Sequence, residues 1–159
     1  MQMKREWLAG AVLFAGMAVA VLIPVSAHSA AQQNAAAADE PVPAYHTQLP
    51  PGELPQTMDP AEFDHAVVKN SYALAAKVKK VLYQQPCYCH CDRSVGHGSL
   101  LDCFTSKHGS GCNICISEAL YSYEQTRKGK TPAQIREGIQ AGEWRHVDVA
   151  KYQTYPAKP

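Results

Sequence analysis

The reactive side chains of this sequence are gathered in one short stretch: all six cysteines lie between Cys87 and Cys115. Cys87, Cys89 and Cys91 alternate with Tyr88 and His90 directly after Pro86, Cys103 stands alone, and Cys112-Asn113-Ile114-Cys115 forms a C-x-x-C pair. Three chemistries fit this pattern. The first is metal binding, because thiolates are soft donors that select Cu(I) and Zn(II). A zinc ion takes four ligands in a tetrahedron, which two or three of the loop thiols plus the C-x-x-C pair would supply. Cys-x-Cys spacing also suits low-coordinate Cu(I), and the lack of a second C-x-x-C argues against a zinc ribbon, so Cu(I) stands ahead of Zn(II). Cys87, Cys89, Cys91, Cys112 and Cys115 are then the main ligands, with Cys103 and His90 secondary. His97 and His108 share the window as nitrogen donors, ranked behind His90 because His90 sits between two cysteines.

The second chemistry is thiol–disulfide exchange. Cys112 at a helix N-terminus would be the attacking thiol, its thiolate stabilised by unpaired N–H groups and the helix dipole, with Cys115 resolving. No β-α-β pattern precedes the pair, so a thioredoxin-type scaffold is not expected. The third is a purely structural disulfide framework, the usual meaning of an even cysteine count in a small exported domain. Against it, positions two apart in extended chain point to the same side. Three parallel bridges from one edge would strain at least one of them.

These residues must be positioned by helices, and the expected fold class is mostly α: a small irregular Cys-rich domain of about four helices. Asp59-Pro60-Ala61-Glu62 reads as cap, first-turn proline and returning carboxylate. Phe63, Val67, Leu74, Val78 and Val81 then follow at helical spacing up to Pro86. Ser99 and Asp102 open a short helix carrying Leu100, Cys103 and Phe104, ended by His108-Gly109-Ser110-Gly111. A longer helix is predicted from about Gly111–Cys112 to Lys128, stopped by Gly129. Thr131-Pro132-Ala133-Gln134 starts the last one, which buries Ile135 and Ile139 and ends at Gly142. Trp144, Val147 and Val149 suggest an extended return over the helices.

Residues 1–27 read as a signal peptide or N-terminal anchor: Lys4 and Arg5, an uncharged apolar run from Leu8 to Ile23, then Val25-Ser26-Ala27. The working domain is therefore expected outside the cytoplasmic membrane, in the periplasm or on the outer face. Any membrane contact would be made only through an uncleaved leader. Residues 28–58, with five prolines from Pro41 to Pro55, are expected as a disordered Pro/Ala-rich linker. The domain proper spans 59–150, with 151–159 as a tail. With 15 Lys+Arg against 14 Asp+Glu, nothing marks a nucleic-acid binder. There is no phosphate loop, no H-E-x-x-H and no G-x-S-x-G, so an enzyme with a substrate pocket is not expected. Under the metal reading, the partner expected is a membrane or periplasmic metalloprotein.

Pro86-Cys87-Tyr88-Cys89-His90-Cys91, with His97, Leu101-Asp102-Cys103-Phe104, Cys112-Asn113-Ile114-Cys115 and Glu118, resembles the bacterial PCYCGC-motif (CYCXC) family of exported Cys-rich proteins. The resemblance runs from Asp59 to about Trp144. It implies an exported protein, in many relatives a lipoprotein. Some members carry selenocysteine in the cluster, which implies soft-metal or redox chemistry there. This chain differs in two ways: His90 replaces the motif's glycine, and no lipidation cysteine follows the apolar run. The resemblance supplies a motif and no activity.

Overall fold

The computed structural model describes residues 41–158; the leader and the first part of the linker lie outside them. Its α-helices are α1 (Ala66–Lys77), α2 (Lys79–Leu82), α3 (Cys91–Ser94), α4 (Asn113–Arg127) and α5 (Pro132–Gln140). Five 3-10 turns connect them: Pro60–Glu62, Leu100–Phe104, Lys107–Gly111, Glu143–His146 and Val149–Tyr152. The fold is mostly helical, and among the described residues there is no strand.

Helix α4 is the axis on which the other elements pack. Cys115, Ala119 and Leu120 are wholly buried along it, each large apolar side chain stabilising the fold by roughly 1.5–3 kcal/mol. One face meets α1 through Leu74 and the Val149–Tyr152 turn through Tyr152. Another meets α5 and the following turn through Tyr121, Ile135, Ile139 and Trp144. The largest cluster joins Tyr72, Leu82, Leu100, Leu101 and Phe104 to four of the cysteines, so the thiols are part of the core.

The caps that depend on adjacent residues form as the sequence predicts. Gln134 N donates to Thr131 Oγ1 and Thr131 N to Gln134 Oε1, closing a capping box around α5. Asp102 accepts from the N–H groups of Gly98 and Ser99. Gly129 and Gly142 end α4 and α5 with φ of 80° and 78°, a region open to glycine at little cost.

The first helix differs from its expectation. Asp59 does cap, accepting from Ala61 N at 2.8 Å, but only for the Pro60–Glu62 turn. The chain then extends at Phe63 (φ −120°, ψ 152°) and α1 begins at Ala66. The extension buries Phe63 against the Tyr72 ring, 4.2 Å between centroids. A contact nine residues away thus overrides a local start signal. The return after Gly142 also differs: Trp144 and Val149 lie in 3-10 turns, not in extended chain.

Residues 41–58, expected as free linker, form no helix or strand but lie along the domain as a strap. Pro43 is fully buried, and Leu54 and Met58 pack on the main core. Met58 N donates to Phe104 O at 2.9 Å. His46 stacks on Tyr83 at 4.0 Å with the rings 9° from parallel. The tail is likewise held. Asn70, 2% exposed, donates to the Tyr152 and Thr154 carbonyls and accepts from Ala157 N.

Candidate metal centre

Pro86 ends the helical run, and the chain turns at once, with His90 N donating to Cys87 O at 3.0 Å. His90 takes φ 56° and ψ 38°, and α3 begins at Cys91. The three alternating thiols therefore do not lie on extended chain as expected. A tight turn presents Cys87 and Cys89 to one neighbour and Cys91 to another. The residue at the turn must adopt the left-handed conformation, which accounts for glycine at this place in the motif. The Leu100–Phe104 turn brings Cys103 from a second direction. The first turn of α4 brings Cys115 from a third.

Two donor groups result. Cys87, Cys89, Cys91, Cys103 and Cys115 place all five sulfurs within 4.8 Å of one another. Within that set Cys87, Cys89 and Cys115 make a nearly equilateral triangle, with sides of 3.3, 3.4 and 3.4 Å. Cys91, Cys103, His97 and His108 form the second group, again within 4.8 Å. Cys91 Sγ is 3.6 Å from Cys103 Sγ and 3.1 Å from His108 Nε2, and His97 Nδ1 is 3.3 Å from Cys103 Sγ. Four of the five thiols are buried and Cys89 is half-buried; His97 is half-buried and His108 exposed.

Two residues from the predicted ligand set lie in neither group. Cys112 is the N-cap of α4 in extended conformation (φ −124°, ψ 110°), half-buried against the main core. His90 is consumed by the turn that shapes the loop. The nitrogen donors that do reach the sulfurs are His97 and His108. Cys115 meets Cys87 and Cys89 at contact distance, so the C-x-x-C spacing contributes one ligand to the array and not a pair. All six cysteines are free thiols, and the shortest sulfur–sulfur separation recorded is 3.3 Å against about 2.05 Å for a disulfide.

The electrostatics favour one thiolate and resist more. Cys89 is held far below the ordinary thiol range, chiefly because Cys103, Cys115 and Cys87 donate S–H hydrogen bonds to it. Cys115 is pushed up by its contact with Cys103 and by burial. Burial, then the neighbouring Cys89, raises Cys91 to about 11. A cation in their midst is what would let several ionise together.

Glu118, one turn beyond Cys115 on α4, is fully buried, and its Oε1 accepts from Tyr88 N at 2.9 Å. It thereby fixes the turn between Cys87 and Cys89. Burial raises its carboxyl to about 8, so near neutrality it is mostly protonated and adds little negative charge beside the thiols. Its spacing from Cys115 is the signal in the sequence: a carboxylate three residues after a cysteine on an apolar helix face.

A family model described as a protein of unknown function with PCYCGC motif matches residues 51–146. The chain belongs to this family. The matched segment holds every donor of both groups, the Cys87–Cys91 turn being the motif itself with His90 at its glycine position. No curated protein matches the chain, and no solved structure does.

The donor set fits a soft ion. Four sulfurs at the zinc–thiolate distance of about 2.3 Å stand roughly 3.8 Å apart along each tetrahedral edge. The recorded separations of 3.3–3.6 Å need only a few tenths of an ångström of expansion to reach it. The cysteine cluster of this PCYCGC-family protein could therefore hold a metal ion.

Proposed function

We propose that this domain binds a soft metal ion, Cu(I) or Zn(II), through Cys87, Cys89, Cys91, Cys103 and Cys115, and that it handles the ion as cargo. The observation that carries this is the sulfur array: five thiols on three separate elements converge to metal-ligand spacing with no covalent pairing. Converging five thiols, four of them buried, without a bond or an ion among them would leave a poorly paired polar cluster in the core. The three alternating thiols supply ligands at the cost of ordering one short turn, and Cys103 and Cys115 arrive already fixed by buried elements.

Delivery follows from exposure. Cys89 is the thiol of the array that solvent reaches, so it is where an incoming donor group would displace a ligand. The apolar leader and the Pro/Ala-rich segment fit an extracytoplasmic domain that passes its ion to a membrane or periplasmic metalloprotein.

The test is the native intact mass of the exported, unreduced full chain together with elemental analysis. The expected result is stoichiometric copper or zinc, with the thiols unoxidised. A mass lower by six hydrogens and no metal would mean three disulfides and a structural framework.

A further inference from the structure

We infer that the cluster is built for two divalent ions bridged by one thiolate, with Cys103 as the bridge. The inner ion takes Cys87, Cys89, Cys115 and Cys103. The outer ion takes Cys91, Cys103, His97 and His108. This inference rests on the metal-binding reading above and adds the number of ions, the ligands of each and the identity of the metal class.

Donor arithmetic is the first argument. Seven donors converge, five sulfurs and two imidazole nitrogens. Two tetrahedral ions have eight coordination positions, and seven donors fill eight positions when one thiolate is shared. A single four-coordinate ion would leave three of the seven donors with no ligand role.

Geometry selects the partition. Cys87, Cys89 and Cys115 already form one triangular face. Cys103 stands within 4.8 Å of each and supplies the fourth vertex. From the same sulfur, His97 Nδ1 is 3.3 Å away and Cys91 Sγ 3.6 Å, and Cys91 in turn is 3.1 Å from His108 Nε2. At zinc–sulfur and zinc–nitrogen distances of about 2.3 and 2.0–2.1 Å, tetrahedral edges run from roughly 3.3 to 3.8 Å. The outer group is already close to that size. Its two thiols and two imidazoles are a donor set that suits Zn(II), imidazole being a borderline ligand where Cu(I) prefers sulfur alone.

Charge points the same way. Five thiolates around one divalent ion leave a net charge of −3 in a largely buried site, and a second divalent ion reduces it to −1. Uncompensated buried charge is expensive, so the second ion stabilises the ionised array that the first requires. The two positions differ in access. The inner one is enclosed by buried thiols apart from Cys89, whereas the exposed His108 opens the outer one to solvent. The outer ion is the one expected to leave first.

The experiment titrates the reduced full chain with Zn(II) and with Co(II). Native mass spectrometry should show two zinc ions per chain at saturation. The His97→Ala/His108→Ala double variant, with an unchanged far-UV circular dichroism spectrum, should hold one. Replacing either imidazole by a thiol, as in His97→Cys, should restore the second ion. In the wild type the EPR signal of the first Co(II) should fall when the second binds, because a shared thiolate couples the two spins. Saturation at one ion, or a double variant that still binds two, overturns the two-ion assignment and leaves the metal-binding reading in place. A chain that binds neither zinc nor cobalt removes the divalent cluster, and copper analysis of the exported protein then decides the wider reading independently. Two ions without loss of the Co(II) signal would overturn the bridge.

Discussion

At the scale of single residues, His90 and the pair His97/His108 exchange the roles that spacing suggests for them. His90 lies between two cysteines in sequence, but the Cys87–Cys91 turn needs a left-handed residue there and His90 supplies it. For a side chain other than glycine that conformation costs roughly 1–2 kcal/mol, set against about 0.5–1 kcal/mol of extra chain entropy when glycine replaces it. His90→Ala is therefore expected to be less stable to urea than His90→Gly, by up to about 1 kcal/mol. Neither change should alter metal stoichiometry. A loss of metal in His90→Gly would make the imidazole a ligand and overturn the assignment of donors. His97 and His108 were visible in sequence as nitrogen donors ranked behind His90, with His97 also among the residues that carry the family resemblance. Their selection depends on the backbone from Ser99 to Gly111, whose short turns no periodicity reports.

Among the elements, what the sequence showed plainly was whatever is decided within four residues. The Thr131/Gln134 box and the Gly129 and Gly142 stops depend on neighbours along one helix, and each stands where its residues place it. The start at Asp59 did not extend into a helix, because Phe63 is pulled out of register by Tyr72. The site escaped the same kind of reading: its three contributing elements meet only in the tertiary fold. The Lys107–Gly111 turn shows how tight that meeting is. A Cβ on Gly109 would lie 2.7 Å from the Cys103 carbonyl oxygen and 3.3 Å from the Tyr72 hydroxyl, whereas one on Gly111 would meet nothing within 4 Å. Backbone cannot move aside as a flexible side chain does. Gly109→Ala is expected to cost about 1–3 kcal/mol in thermal or urea unfolding. It should also weaken zinc retention, since the displaced segments carry Cys103 and His108. Gly111→Ala, in the same turn, should stay within about 0.5 kcal/mol of wild type with full metal content. Equal behaviour of the two variants would show that the close approach of this turn to Cys103 does not hold the site together.

The whole molecule includes a strap that composition assigns to a spacer. Proline content tells correctly that residues 41–58 take no regular structure, but it says nothing about whether extended chain is tied down. Here the contacts run along the strap and reach the site's own loop. Ala44 N donates to Asp92 Oδ2 at 3.2 Å, one residue past Cys91, and Tyr45 lies against Arg136 at 4.6 Å. His46 stacks on Tyr83 and sits so close to Gly98 that a Cβ there would be 3.1 Å from its Nε2. The strap thus bears on both ends of the segment from Cys91 to Gly98, which carries two donors of the outer group, Cys91 and His97. The family match begins at residue 51, so Leu54 and Met58 lie within the shared region and the contacts of residues 43–46 lie ahead of it. Deleting residues 41–50 from the full chain should therefore leave the helical core folded, with a modest fall in unfolding midpoint from the lost ring contacts, each worth about 0.5–1.5 kcal/mol. The larger effect should be on metal exchange: with α3 no longer held at Asp92, a chelator should strip zinc from the deleted chain faster than from the wild type. His46→Ala alone should show part of that acceleration. Identical release rates in all three proteins would mean that the strap packs on the domain without restraining the cluster.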